Sequence, residues 1–201
     1  MTPAPRGPRG AGADTRAEIL SAAANVFIRD GYSSSMRAIA RAAHVDPALV
    51  RHWFGSKTQL FVESLRPAQA DDPRITRFAT IPEEELGAAI VEQFLTLWED
   101  PVDGVRLRTI LRTAIAFDEV AEAMRGVLFD EVLLHVLLQR GYEEGDARLR
   151  ASLTASQMIG LAVARHVLGF ATLEETSRDR LVALYGPTLQ HYLTGDLGPV
   201  A

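Results

Sequence analysis

Apolar residues recur at helical spacing along almost the whole chain, and no stretch alternates apolar and polar positions in the two-residue rhythm of a strand. In TRAEILSAAANVFIRDG, Ile19, Ala22, Ala23, Val26 and Phe27 share one helical face; Thr15 and Glu18 form a capping box before it and Gly31 ends it. SSSMRAIARAAHV predicts a second helix with Met36, Ile39, Ala40 and Ala43 inward and a cap at Ser34 or Ser35. After the turn at His44, Asp46 caps a short third helix whose first residue is Pro47, where a missing N–H costs no bond. Gly55 closes it, and Ser56 with Gln59 opens a fourth helix running to about Arg66.

PAQADDPR then reads as a loop or helix break. Thr80 to Glu83 caps a helix carrying Leu86, Ile90, Phe94, Leu97 and Trp98. DPVDG turns into RLRTILRTAIAF and EVAEAMRGVLFDEVLLHVLLQRG, and EEGD separates these from ARLRASLTASQMIGLAVARHVLGF. A last box at Thr172 and Glu175 leads into RDRLVALYGPTLQHYL, which Pro187 is expected to kink. The pattern predicts an all-α protein with a helical unit over residues 14–66 and a larger helical body over 67–201. Residues 1–13, rich in Pro, Gly and Ala and without periodicity, read as a disordered tail.

Composition narrows the function classes. The 201 residues include no cysteine, which excludes disulfides, thiolate metal sites and a cysteine nucleophile. No apolar run approaches the roughly 18 residues of a membrane span, and the N-terminus has no secretory h-region, so a cytoplasmic protein is expected. The net charge of −5 is unevenly spread: residues 1–66 carry nine Lys+Arg against five Asp+Glu, a net of +4, leaving −9 for the rest. A basic module on an acidic body points to a polyanion partner for the first third, with chance clustering as the plain alternative.

The second and third helices, joined at AAHVD, have the spacing of a helix-turn-helix over about residues 35–54. Stepping 100° per residue, Val50 and Phe54 fall together as core anchors, while Ala48, Arg51, His52 and Gly55 point away. Small residues at the N-terminal end (Pro47, Ala48) and a donor beyond them (Arg51) suit a helix end in the major groove, where Arg bonds guanine bidentately. A solvated surface arginine is the bland reading of Arg51. Trp53 lies on the flank with Leu49, and packing inward or resting on a phosphate both fit its position. Arg6 and Arg9 fit a phosphate arm or a disordered tail equally.

These residues resemble a known family. TRAEILSAAANVFIRDGY followed by SMRAIARAAHVDPALVRHWFGSKTQLF is similar to the DNA-binding domain of TetR-type transcriptional regulators, and the helical remainder has the length and shape of their C-terminal domains. The resemblance implies a three-helix helix-turn-helix domain and a C-terminal bundle for ligand binding and dimerisation. It places Ser35 and Arg37 at phosphates or base edges, Pro47, Ala48 and Arg51 at bases, and His52 and Trp53 on the sugar-phosphate backbone. Lys57, the single lysine of the chain, matches a phosphate-holding lysine at the start of the fourth helix. Three departures stand out: His44 replaces the usual turn glycine, GYSSSM is one residue short, and Arg51 stands where tyrosine or histidine is commoner. The last should change which operator is read.

Enzyme readings find little support. The five histidines form no HExxH, there is no P-loop or glycine fingerprint, and Glu131 with His135 reads as a surface or core pair before a metal site. No cofactor and no metal are expected. Within the C-terminal body the family resemblance implies an effector pocket lined from among Phe94, Trp98, Arg112, Phe117, Met124, Phe129, His135, Gln157 and Met158, each of which also fits an ordinary core. It also implies a homodimer through the last two helices, using Ala155, Gly160, Ala162, Leu181, Leu184, Tyr185, Leu189 and Tyr192, which an intramolecular core would use in part as well. The expected function is a ligand-responsive DNA-binding transcriptional regulator, a repressor on a palindromic double-stranded operator, released by an unknown small-molecule effector. The alternative is a helical small-molecule-binding protein that does not bind DNA.

Overall fold

The computed structural model describes residues 8–66 and 72–198. The chain divides into two compact units, Met1–Arg66 and Pro67–Ala201.

The first unit holds four helices: α1 (Pro8–Asp30), α2 (Met36–Ala42), α3 (Pro47–Phe54) and α4 (Lys57–Leu65). Helix α1 begins earlier than the Thr15 capping box predicted, so Thr15 lies inside it and residues 8–13 continue the helix instead of a tail. Pro8 is tolerated there because the first helical N–H has no partner to lose. The expectation of disorder for residues 1–7 lies outside the described residues. Ile19, Ala23, Phe27, Ile39, Ala40, Val50, Leu60, Phe61 and Leu65 are fully buried between the helices. Phe27 and Tyr32 each meet the Phe61 ring edge-on with centroids 5.0 Å apart. Each such large apolar side chain removed from water contributes about 1.5–3 kcal/mol, which is what holds short helices that would not form alone.

The second unit is built from α5 (Pro73–Thr76), α6 (Leu86–Glu99), α7 (Asp103–Ala116), α8 (Asp118–Arg125), α9 (His135–Gln139), α10 (Glu144–Ala162), α11 (Ala171–Glu175) and α12 (Arg178–Thr194). Helices α8 and α9 are one continuous rod, because Gly126–Leu134 between them keeps helical dihedrals at both ends but is wound more widely. Likewise α10 runs on through Val163–Val167, closed by a five-residue-span bond from Leu168 N–H to Val163 O of 2.8 Å. No strand occurs among the described residues.

Helices α6 and α12 pack antiparallel at very short range. A Cβ on Gly87 would lie 2.4 Å from Gly186 O and 2.5 Å from Gln190 N, so neither backbone leaves room for a side chain there. The same contact supplies the N-terminus of α6: Gln190 Oε1 accepts from Gly87 N–H at 2.8 Å, while its amide donates to Glu83 O at 2.7 Å. This replaces the cap expected from Thr80 and Glu83; the Thr80 hydroxyl instead donates back to Arg77 O. Ser177, not the Thr172–Glu175 box, caps α12 through the Arg180 N–H, and α12 runs unbroken through Pro187. Residues 67–71 of the break predicted at PAQADDPR lie outside the described residues, and its last two residues open a one-turn helix, α5, capped by Asp72.

Leu86, Val91, Leu95, Leu137, Ala151, Met158, Leu161, Leu181, Leu189 and Leu193 form the main core, and Trp98, Leu111 and Ala162 a second cluster. Arg150, 8% exposed, closes the far end of α12: Nη1 donates to Tyr192 O and Gly195 O at 3.1 and 3.0 Å, and Nε to Asp146 at 2.7 Å. A buried guanidinium is tolerable here because a carboxylate balances it and helix-end carbonyls take its protons.

Candidate nucleic-acid interface and ligand site

The interface is assembled from local signals. Ser35 Oγ accepts the Ala38 N–H at 3.2 Å and so is the cap of α2, leaving Ser34 to donate to Gly31 O at 2.9 Å. The turn is made by His44 with φ 56°, the one non-glycine residue with positive φ among those described. A glycine would hold that conformation without strain; histidine is among the residues that tolerate it. Val45 N–H then returns to Ala40 O at 3.0 Å, and Asp46 Oδ1 takes the Ala48 N–H at 2.7 Å to start α3. Gly55, with φ 66°, stops the helix.

On α3 the faces divide as the spacing requires. Val50 and Phe54 are buried at 0% and 3% exposure. Pro47, Ala48, Arg51 and His52 are exposed, as are Ser35 and Arg37 at the start of α2, and Leu49 is half-buried. Trp53 is 38% exposed and lies edge-on to His52 at 6.4 Å, so of its two sequence placements the outward one is adopted.

Lys57 is the first residue of α4, capped by Ser56, whose Oγ accepts the Gln59 N–H at 3.0 Å. Its Nζ sits 4.1 Å from the centre of the Tyr32 ring, and the Tyr32 hydroxyl bonds Thr58 Oγ1 at 2.8 Å. The ammonium is thus held by a ring face beside a helix N-terminus, where amide dipoles already favour an anion. Arg16 braces the other side: it pairs with Glu63, and its guanidinium lies 5.1 Å over the Phe54 ring, joining α1 to α3 and α4. Gln59 Nε2 also donates to Glu63, at 3.0 Å, instead of completing its capping box. Sequence reasoning missed Tyr32 and Arg16, though the aromatic after the Gly31 stop was a visible signal for the first.

In the second unit the sequence-chosen ligand residues scatter. Phe94, Trp98 and Met124 meet in one apolar cluster with Leu107, Leu111, Ile159, Ala162, Val163 and Val167. Met158 is buried in the main core and Phe129 packs against it, while Gln157 is half-buried. Arg112, Phe117 and His135 are exposed and do not join Trp98; the His135 ring bonds Gln139 at 2.9 Å. Arg112 and His135 fall on the outer sides of their helices, and Phe117 is the extended residue that joins α7 to α8.

The spacing did not single out His166, which belongs to the Trp98 cluster. Its ring stacks on Trp98 with centroids 4.9 Å apart and planes 8° from parallel, and its buried Nε2 has no hydrogen-bond partner. Burial, with Arg165 and Arg108 nearby, pushes its pKa below the ordinary value of 6.5.

The proposed dimer residues divide too. Leu181, Leu189, Ala155 and Ala162 are buried within their own chain, the intramolecular use that their spacing also allowed. Small and apolar residues at helical spacing serve either role, and here Leu181 and Leu189 pack in one core with α6 while Ala162 joins the cluster of Trp98. Gly160 and Leu184 are exposed, the latter at 53%, and Tyr185 and Tyr192 pack partly against the core.

A family model described as "Bacterial regulatory proteins, tetR family" matches residues 19–63, and one described as "Tetracyclin repressor-like, C-terminal domain" matches residues 84–193. The chain belongs to the TetR family. It is accordingly a DNA-binding transcriptional regulator with a helix-turn-helix domain and a C-terminal ligand-binding domain. Among solved TetR-family structures, a regulator from Streptomyces coelicolor A3 is 29% identical with a TM-score of 0.68, over 95% of this chain and 99% of that one. A Mesorhizobium loti protein assigned to the family shares the fold at 21% identity and TM-score 0.56, covering 90% of this chain and 96% of that chain. One from a Rhodococcus species does so at 14% identity and TM-score 0.60, covering 90% and 100%. No curated protein matches the chain by sequence. Among the described residues no helix is long and apolar enough to cross a membrane, and no group of three or more His, Asp or Glu side chains is placed to hold a metal ion.

Proposed function

We propose that this TetR-family regulator is a homodimeric repressor that reads a palindromic operator and is released from it by a small organic effector. The observation that carries the reading is the division of α3: Val50 and Phe54 buried beneath an outward row of Pro47, Ala48, Arg51 and His52. Arg51 is the base-reading donor, Pro47 and Ala48 permit close approach, Ser35, Arg37, His52 and Trp53 meet the backbone, and Lys57 holds a phosphate. Two copies are needed, since half-sites one helical turn apart, about 34–36 Å, require two recognition helices at that separation. The exposed side of α10 and α12, with Gly160 and Leu184, is the face for the second copy. Effector binding in the second unit favours a dimer whose recognition helices no longer match that spacing, which requires the effector to prefer the non-binding state.

Footprinting of DNA flanking the protein's own gene tests this. Protection of two symmetric half-sites, weakening steeply with salt, is expected. Absence of sequence-preferring, salt-sensitive binding would mean a small-molecule-binding protein that does not read DNA.

A further inference from the structure

The apolar cluster around Trp98 carries polar groups that the fold leaves unsatisfied. His166 Nε2 is buried without a hydrogen-bond partner while its ring lies flat on the indole. A buried polar atom left unpaired costs about 1–3 kcal/mol, so a site that retains one is shaped for something that pairs with it. His166 lies in Val163–Val167, the wider-wound end of α10, a kind of backbone that concentrates at functional sites.

The second group is Arg108. It is half-buried on α7, and among the described residues it makes no ion pair and no hydrogen bond. Its neighbours are committed: Arg165 pairs with Glu99 at 2.9 Å, Arg178 approaches the same carboxylate at 3.7 Å, and Arg106 pairs with Asp103 at 3.5 Å. The point where a Cβ on Gly104 would stand is 3.2 Å from Arg108 Nη1 and 2.3 Å from Trp98 O, which sets the free guanidinium beside the backbone of Trp98. Arg108 and Arg165 also act electrostatically on His166. One uncompensated cation and one unpaired imidazole nitrogen therefore border a cluster of Phe94, Leu107, Met124 and Ile159 that are partly buried.

We infer that the effector is an apolar organic acid whose hydrocarbon part lies against the Trp98 cluster and whose carboxylate is held by Arg108 and His166. Arg108 supplies a charge-assisted bond, and His166 donates from Nε2 once the carboxylate is present. A neutral or cationic ligand of the same size would leave Arg108 unpaired. This rests on the reading of the second unit as the effector domain, and it adds the chemistry of that effector.

The test compares octanoate and 4-phenylbutyrate with octanol, octylamine and 4-phenylbutanol on the full-length protein. Thermal shift reports binding, and gel shift on the footprinted operator reports release. Both acids are expected to raise the melting temperature while the alcohols and the amine do not. Arg108→Met should weaken acid binding about tenfold or more, as removal of a charged hydrogen bond does, with Arg108→Lys restoring part of it. His166→Phe should keep the stack and weaken the acids less. Binding of the alcohols as strongly as the acids, acid binding unchanged in Arg108→Met that melts like the parent, or no acid binding at all would each overturn the inference. Operator release by octylamine alone would overturn it while leaving the repressor reading intact. Acid binding that depends on Arg108 without any change in operator affinity would support the site and overturn the release mechanism.

Discussion

In the proposed operator complex Arg51 and Lys57 carry the same charge to the same polyanion but are held differently, so their removal should look different. Arg51 is exposed on a helix whose opposite side is anchored, free to reach a base edge. Arg51→Ala is expected to cost about 1–3 kcal/mol of operator binding and relax preference at one base position. Lys57 is fixed on the Tyr32 ring at a helix start, a geometry for a phosphate. Lys57→Ala should weaken binding to all sequences alike and flatten the salt dependence by about one ion. Equal losses on specific and random DNA for both variants, read by fluorescence anisotropy, would reverse these assignments. His166 gives a second residue-level expectation. Burial first, and then Arg165 and Arg108, hold it below 6.5, so just under that pH the unfolded chain binds more protons than the folded one. Stability therefore rises with pH through that window and is lost as the solution is acidified through it. Urea midpoints measured between pH 5 and 7.5 should fall on the acid side, and His166→Phe should reduce that slope.

The elements differ in how plainly the sequence announces them, and the difference is one of range. Gly31, Ser35, Asp46, Pro47, Gly55 and Ser56 mark the ends of α1 to α4 because each acts on backbone within four residues of itself. The start of α6 was not legible, because its cap, Gln190, lies 103 residues away in sequence from Gly87. For the same reason Leu181 and Leu189 looked as suited to a partner subunit as to their own core: periodicity shows that a face is covered and is silent on what covers it. His166 was hidden because an unpaired nitrogen is a property of the packed cluster, not of the motif RHV. The α6–α12 contact has a direct measure. Gly87→Ala should cost about 1–3 kcal/mol of unfolding free energy, since the methyl meets backbone that cannot rotate away. Gly145→Ala, in the first turn of α10 with nothing within 4 Å of its new methyl, should instead be neutral or stabilise by about 0.5–1 kcal/mol. Equal urea midpoints for the two variants would refute the close approach.

For the whole molecule, the proposed operator reading depends on pairing two copies. Leu184 is 53% exposed on α12 between buried Leu181 and Leu189, so a charge there leaves the monomer's core alone. Leu184→Arg is expected to give a folded monomer by analytical ultracentrifugation, with unchanged helical content and operator binding reduced to the non-specific level. A dimer that persists in this variant would move the interface elsewhere. The charge division of the sequence, +4 over residues 1–66 and −9 beyond, favours polyanion attraction at the first unit.

The two tryptophans of the chain fall one in each unit, and their surroundings are opposite: Trp53 is 38% exposed on the recognition helix, Trp98 is 7% exposed and stacked on an imidazole. Intrinsic fluorescence therefore carries two separable channels without any added dye. A Trp98→Phe protein emits from Trp53 alone, and under the proposed interface DNA docking should remove part of its red-shifted, quencher-accessible emission. A Trp53→Phe protein emits from Trp98 alone and reports what enters its cluster. If the proposed release by an effector holds, comparing the two in one titration gives the order of effector arrival and DNA departure, a kinetic question that the protein's own chromophores are placed to answer.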